Sequence, residues 1–534
     1  MPGMAESQQR PGVLGIPALV SLAVAAAAFA SYAATACRTI TWWDGSSYPL
    51  AAYTLGVAPP PGSLILMLLG WLATRIPAVH PVAFQLNLLA ALIAAALAGL
   101  VTWIGIRVSV PEGRQAGAPE GFAGAFAGLM FAFAPTPWNY AVQFTPYVLS
   151  ACFTGLILLA ALGWWRRAEH SDSAGRLFLL FLLLGLDFSV HRTNSLLLPA
   201  ALVWVALRRG GASLRPPVLG AVGFGLAAGL AFQLLLIPIA SRNPAFNQGE
   251  PSSLARLWSY VSISDKGGGF LIDLFPRRAD FVHVQLGDYA GFLRRNLTVP
   301  LPGALAYVPA IVAALGYAVA LRSWPHRSLG LIGFFLCASL GSVLYFNLPE
   351  HWFRTLDRHY LPSFVLLTPF MATGGAASLR LAIGARGLAG PALAIGLGGL
   401  LAIAPIRSWA VNRRACDLAR VRYAETFGRN LLEPLERDAI LLTNGDNDTF
   451  PLWYLQEVEG ARRDVTVINL PTANLGWWIA QLRRGDPRYA RLLEGERGMD
   501  VLEPVRLPDS TVTLPVAPDE SSPFLVENLR GSIV

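Results

Sequence analysis

A chain of 534 residues with 54% hydrophobic and only 14% charged side chains cannot be water-soluble along its whole length, because soluble domains carry about 25% charge. Its net charge of +8 comes almost wholly from arginine, Lys266 being the single lysine, and no basic stripe accompanies it, which argues against nucleic-acid binding. The four cysteines (Cys37, Cys152, Cys337 and Cys416) are too widely spaced for a CxxC metal site or a disulfide framework.

Apolar runs fall at 14–36, 63–77, 82–106, 121–135, 146–165, 177–190, 194–207, 217–239, 301–321, 329–347, 360–380 and 388–405. Several exceed the roughly 18–20 residues that span a bilayer core. The first is long for a signal peptide and lacks a clear cleavage site, so an uncleaved span is expected. The run 63–77 follows Pro59-Pro60-Pro61-Gly62 and reaches only about 22 Å as a helix. If it crosses, with the N-terminus inside, then Arg166-Arg167, Arg208-Arg209-Arg215 and Arg322-Arg327 all face outside. If it lies on the outer surface, those clusters face the cytoplasm together with the arginines at 107–114 and 380–386. The positive-inside rule selects the second arrangement. About eleven spans result. The outside receives residues 37–80, 135–145, 240–300 and 348–359, and everything after about 407. On that topology Asp44, Gln143, Asp187, His191, Arg192, Glu350, His351, Arg354, Asp357, Arg358 and His359 gather at the outer interface. Ionisable groups near membrane depth are costly and are functional candidates, whereas wet interfaces also end helices with such residues.

The composition turns polar after about residue 407. Residues 439–443 read as a buried strand, Asn444-Gly445-Asp446-Asn447-Asp448 as a turn, and 450–458 as a helix capped by Asp448 or Thr449. Residues 464–470 alternate β-branched side chains as a second strand does. Strand–helix–strand order implies a parallel unit. Residues 475–484 read as a further helix. The expected organisation is thus a membrane domain over 1–406 and an extracytoplasmic α/β domain over 407–534. Asp446-x-Asp448 could share a hard cation, but Asp/Asn/Gly runs also make turns for backbone reasons alone, and the turn reading is preferred.

Thr41-Trp42-Trp43-Asp44-Gly45-Ser46-Ser47 and Leu55-Gly56-Val57-Ala58-Pro59-Pro60-Pro61-Gly62 carry a resemblance. They resemble the opening signature of the bacterial membrane family known as domain of unknown function 2723. That family is similar to the human transmembrane protein O-mannosyltransferase of plexin-type receptors. Asn87-Leu88-Leu89, Trp138-x-x-Ala141 with Tyr147, residues 185–191, Asn247-x-Gly249-Glu250-Pro251 and Arg358-His359-Tyr360-Leu361-Pro362 match in order. Residues 444–465 supply the longest match. Three positions depart from the family pattern: Ser47 and Thr145 stand where it has glutamates, and Pro59 stands where it has a histidine.

The resemblance implies a polytopic α-helical membrane protein of the C-type glycosyltransferase kind with a C-terminal soluble α/β domain. It implies an inverting hexosyltransferase, with mannose a candidate sugar. The donor would be a sugar on a polyprenyl-phosphate carrier, and the acceptor a protein or envelope glycan outside the cytoplasm. The site would face out of the cell (inner) membrane. Asp44 is then the candidate base, taking the proton of the attacking hydroxyl. Arg354, Arg358 and His359 are candidates to hold the leaving phosphate, with His191 and Arg192 helping to orient the carrier. Trp43, Trp138 and Tyr147 are candidate contacts to sugar or acceptor. Whether a divalent metal takes part stays open. A non-catalytic family member that binds a lipid carrier or partner, and a membrane transporter or flippase, remain alternatives.

Overall fold

The computed structural model describes residues 15–76, 79–170, 172–263, 281–346, 356–386, 389–472 and 475–485. Its helices run in chain order as α1 (Ile16–Thr35), α2 (Asp44–Thr54), α3 (Leu64–Thr74), α4 (Val82–Ser109), α5 (Ala118–Ala132), α6 (Pro135–Ala141) and α7 (Pro146–Arg166). There follow α8 (Ser173–Phe188), α9 (Leu197–Arg209), α10 (Pro216–Ala231), α11 (Leu236–Ser241), α12 (Leu254–Ser262), α13 (Val282–Leu297), α14 (Val308–Ser323), α15 (Pro325–Phe346), α16 (Asp357–Ile383) and α17 (Ala389–Ala415). The polar C-terminal part holds α18 (Tyr423–Leu432), β1 (Ile440–Thr443), α19 (Asp446–Glu457), β2 (Thr466–Asn469) and α20 (Gly476–Gly485).

Within the described residues, each of the eleven runs expected to cross forms helix. Among the described residues eight helical segments are long and apolar enough to span a bilayer by length and composition. The other three, α5, α8 and α9, are shorter, at 15, 16 and 13 residues. The chain is therefore a multi-pass membrane protein. The run from residue 63 forms α3, whose 11 residues reach about 16 Å, roughly half a hydrocarbon core. The side chain of Gln85 ends that helix by donating to the carbonyls of Ala73 and Ile76 at 2.7 and 2.6 Å.

Three spans form the centre. Two-thirds or more of the apolar window of α4, α7 and α16 is buried, against 22% for α1 and α17. An apolar face turned to lipid gains nothing by leaving it, so close packing must hold the helices together. Small residues make the approach possible. A Cβ on Gly316 of α14 would lie 1.8 Å from the Phe370 carbonyl oxygen of α16, and one on Gly374 would lie 1.9 Å from that of Val312.

The C-terminal unit has the expected connectivity. Its two strands pair in parallel, from Ile440 opposite Thr466 to Thr443 opposite Asn469, with α19 as the crossover. The helix starts earlier than the sequence suggested, at Asp446, and its N-cap is Gly445 rather than Asp448 or Thr449. The reason lies in the first turn. Asp448 Oδ2 accepts the Asn444 N–H at 2.8 Å, and the Thr449 hydroxyl donates back to the Gly445 carbonyl at 2.6 Å. Both residues thus support the turn from inside the helix.

Candidate active site

Asp44 is the first residue of α2. The chain reaches it through Trp43, whose backbone is held at φ 52°, a region that few non-glycine residues occupy. Three contacts fix this corner. Ser46 Oγ donates to the Thr41 carbonyl at 2.5 Å, and Thr41 Oγ1 donates to Gln143 Oε1 at 2.8 Å. The Trp43 N–H donates to Asn447 Oδ1 of α19 at 3.2 Å. The C-terminal unit therefore takes part in shaping the loop that presents Asp44.

The rest of the first outer segment is fastened to two neighbours. Val57 pairs with the stretch around Asn247, its N–H donating to the Phe246 carbonyl at 2.9 Å. Gly56 permits this approach, since a Cβ there would meet the Phe246 carbonyl oxygen at 2.1 Å. Ser63 Oγ donates to the Val190 carbonyl at 2.7 Å, and the Leu64 N–H to that of Ser189 at 3.0 Å. The turn carrying His191 and Arg192 is thereby brought to the same place.

Two bonds hold the Asp44 carboxylate, both at Oδ2. The Tyr147 hydroxyl donates one, and Arg358 Nη1 donates the other at 3.0 Å. Oδ1 makes none among the described residues. Asp44 and Arg358 each keep 21% of their side-chain surface accessible, so the pair is reachable. The Arg358 guanidinium also lies over the Tyr147 ring, 4.6 Å from its centroid, where the ring face attracts a cation. Asp357 lies beside this pair and is paired with Arg295 at 2.6 Å.

Beneath Tyr147 sit two histidines. His191 and His359 lie 5.4 and 5.6 Å from its ring centroid and 5.0 Å from each other. Thr193 joins them. His191 Nδ1 is 2.7 Å from Thr193 Oγ1 and accepts the Thr193 N–H at 3.3 Å, while His359 Nδ1 is 3.4 Å from the same hydroxyl. Arg358 Nε donates to His359 Nε2 at 3.4 Å. One consistent assignment follows: His359 carries its proton on Nδ1 and donates to Thr193, whose hydroxyl donates to an unprotonated His191 Nδ1. Burial, aided by Arg192 and Arg358, pushes the His191 imidazole down to about 3. It is neutral at physiological pH.

The structure thus brings together Asp44, Tyr147, His191, Arg358 and His359. Arg192 lies alongside, 8% exposed. Trp43 is half-buried and takes part through its backbone. One expectation is corrected. Trp138 is fully buried against Tyr32 and Phe133, with its indole N–H donating to Thr35 Oγ1 at 2.8 Å. It is a core residue with no face for a sugar. Tyr147 is also buried, and its hydroxyl donates to Asp44. Arg354, with Glu350 and His351, lies outside the described residues. Asp187 is buried and bonded to Asn194 Nδ2, which anchors the turn before Arg192. Sequence reasoning missed Thr193 and Asn447. Only the length of the 444–465 match pointed at Asn447, and nothing singled out Thr193.

Asp44 Oδ2 is already held by Tyr147 and Arg358, while Oδ1 makes no bond among the described residues. Among the described residues no three His, Cys, Asp or Glu side chains converge to hold a metal.

Comparison with known proteins adds to this geometry. The model of the Protein O-mannosyl-transferase TMEM260 N-terminal domain matches residues 44–214, and that of TMEM260-associated domain 2 matches residues 424–488. This chain is similar to the TMEM260 O-mannosyl-transferase family. The first match begins at Asp44 and runs through α9; the second covers α18 to α20 and includes Asn447. Mouse (Mus musculus) Protein O-mannosyl-transferase TMEM260 is 23% identical over 483 residues, which is 88% of this chain. The chain spans 65% of that relative's length. Among solved structures, ArnT from Cupriavidus metallidurans bound to undecaprenyl phosphate superposes with a TM-score of 0.52 at 12% identity, covering 91% of this chain and 96% of its own. The apo form of ArnT gives a TM-score of 0.51 over the same shares. At that identity the likeness is one of fold: a polytopic helical membrane protein of the C-type glycosyltransferase kind, with a small α/β unit appended.

Proposed function

We propose that this chain is a membrane glycosyltransferase that moves a sugar, mannose being the first candidate, from a polyprenyl-phosphate carrier to a hydroxyl outside the cytoplasm. The observation that carries this reading is the Asp44 carboxylate, fixed through Oδ2 by Tyr147 and Arg358 while Oδ1 is left without a bond among the described residues. Similarity to the mouse O-mannosyl-transferase supports the sugar and a protein acceptor, with an envelope glycan as the other acceptor class. The fold shared with ArnT, a protein solved with undecaprenyl phosphate, supports the carrier.

In the proposed reaction the acceptor oxygen attacks the anomeric carbon as the carbon–oxygen bond to phosphate breaks. The bonding pair leaves with the polyprenyl phosphate, and the hydroxyl proton passes to Asp44 Oδ1. Attack opposite the leaving group inverts the anomeric centre. Arg358 lies within reach of both roles, since it pairs with Asp44 and presents further N–H donors suited to phosphate. Arg192 is the second candidate cation. The neutral His191–Thr193–His359 bridge holds Tyr147, and so Asp44, in place. We place the site on the outer face of the cell membrane, with the C-terminal unit on the same side, because the arginine-rich helix ends then face the cytoplasm.

The test is mass spectrometry of exported proteins and envelope glycans. A deletion strain is complemented with wild type or with Asp44→Asn at equal abundance. A hexose modification present only with wild type supports transfer and identifies the acceptor. Identical spectra from both strains and from the deletion would leave a binding role without catalysis as the better reading.

A further inference from the structure

At the membrane end opposite Asp44 the helices do not close on one another. The start of α1, the end of α4 with its following loop, the ends of α7 and α9, and the α14–α15 junction surround a cavity of about 1050 Å³. Arg107, Arg114, Arg166, Arg208 and Arg327 line it, against one carboxylate, Glu112. Among the described residues only Arg208 of these five makes an ion pair, with Glu169 at 2.9 Å.

Helix ends explain part of this. A cation in the last turn of α4, α7 or α9 is favoured by the partial negative charge there. Arg327 has no such reason. It lies in the first turn of α15, where the same dipole opposes a cation. Its Nε is buried with no hydrogen-bond partner, and its guanidinium lies 4.0 Å above the Trp324 ring. Arg166 donates to the Arg107 carbonyl at 3.2 Å, which places two of the lining arginines together. A cation left short of partners beside others of its own sign calls for an anion beyond those the described residues supply.

Depth indicates which anion. Arg107 lies over Trp103 at 5.2 Å and Arg208 over Trp165 at 5.9 Å. With Arg327 over Trp324, three of the five arginines stand against tryptophan, a residue that favours the headgroup level of a bilayer. Basic pockets between membrane helices on the cytoplasmic side suit anionic lipid headgroups.

We propose that this cavity binds the phosphate headgroup of an anionic phospholipid from the inner leaflet, with Arg166 and Arg327 as its principal contacts. The site is separate from Asp44 and does not depend on the transfer reaction. A free phosphate carries the same chemistry, so the test separates the two. Purified full-length protein in phosphatidylcholine nanodiscs is titrated with cardiolipin, and binding is read by native mass spectrometry and by Tm. Wild type is expected to bind saturably and to melt higher. The double variant Arg166→Gln/Arg327→Gln should bind roughly thirtyfold more weakly, and Arg413→Gln/Arg414→Gln at the opposite end should bind like wild type. Photoactivatable cardiolipin on the wild-type protein should crosslink to residues 103–116 and 323–327. That arm needs no variant to fold. Equal binding by the double variant, or crosslinks confined to other segments, would overturn the proposal. Inorganic phosphate that raises Tm equally and displaces cardiolipin would overturn the lipid assignment in favour of a soluble phosphorylated ligand.

Discussion

At the scale of single residues, Asp44 and Tyr147 divide the work at one carboxylate. Asp44→Asn keeps the size and a hydrogen-bonding group but cannot take a proton. Transfer should fall by about 10² to 10⁴ with Tm nearly unchanged, in a reconstituted assay with polyprenyl-phosphate mannose. Tyr147→Phe removes one bond to a charged group, worth about 1.5–3 kcal/mol, and should lower kcat by roughly 10- to 100-fold. His191 sets a pH dependence. Its imidazole is depressed to about 3 in the folded protein, against about 6.5 in an unfolded chain. Between those values the unfolded state holds the extra proton, so stability is full above pH 6.5 and is lost as pH falls below it. Melting curves from pH 7.5 to 4.5 should show that fall, and His191→Gln should reduce it. Asp44, His191 and Arg358 were legible in the sequence because charge near membrane depth is conspicuous. Thr193 was not, because a threonine at a helix end is unremarkable until two histidines are found on either side of it.

At the scale of elements, the first turn of α19 is built to reach outward. Thr443 Oγ1 and Thr449 Oγ1 lie 2.6 Å apart, and Asn469 Nδ2 donates to the same Thr449 hydroxyl at 2.7 Å. This bracing joins both strands to the turn and leaves Asn447 free to accept from Trp43. Asn447→Ala should therefore lower kcat about tenfold, the order of one lost hydrogen bond, while Tm changes little. A drop in Tm that matched the drop in activity would instead mark a purely structural bond. The element pattern was readable here because two strands of β-branched residues flank a turn-rich segment. The helix start was not, because Asp448 and Thr449 serve it through side chains pointing backward, which sequence reads as caps. The short α3 was expected from its length and from the arginine distribution. Its docking was not, since that depends on Ser63 and Leu64 reaching the carbonyls of Val190 and Ser189. Gly56→Ala should destabilise the protein by about 1–3 kcal/mol, seen as a lower Tm in detergent.

At the scale of the whole molecule, the alternation of eleven helical runs places Asp44, Asn447 and the C-terminal unit at one end and the arginine-lined cavity at the other. Cysteine labelling in intact cells tests the proposed orientation. Arg437→Cys should react with an impermeant maleimide from outside, and Arg114→Cys only after permeabilisation. The native cysteines are buried or half-buried and contribute little background. Arginine distribution made this arrangement legible, whereas the cavity was hidden, because clustered arginine reads as a topology signal whether or not space lies between the side chains. The site and the cavity also differ in how their charges are matched. Asp44 pairs with Arg358 and Asp357 with Arg295, whereas four of the five arginines that line the cavity have no carboxylate within 4 Å among the described residues. Added salt screens attraction where charges are paired and repulsion where they are alike, so the contacts around Asp44 loosen under the same conditions in which the cavity's arginines repel one another less.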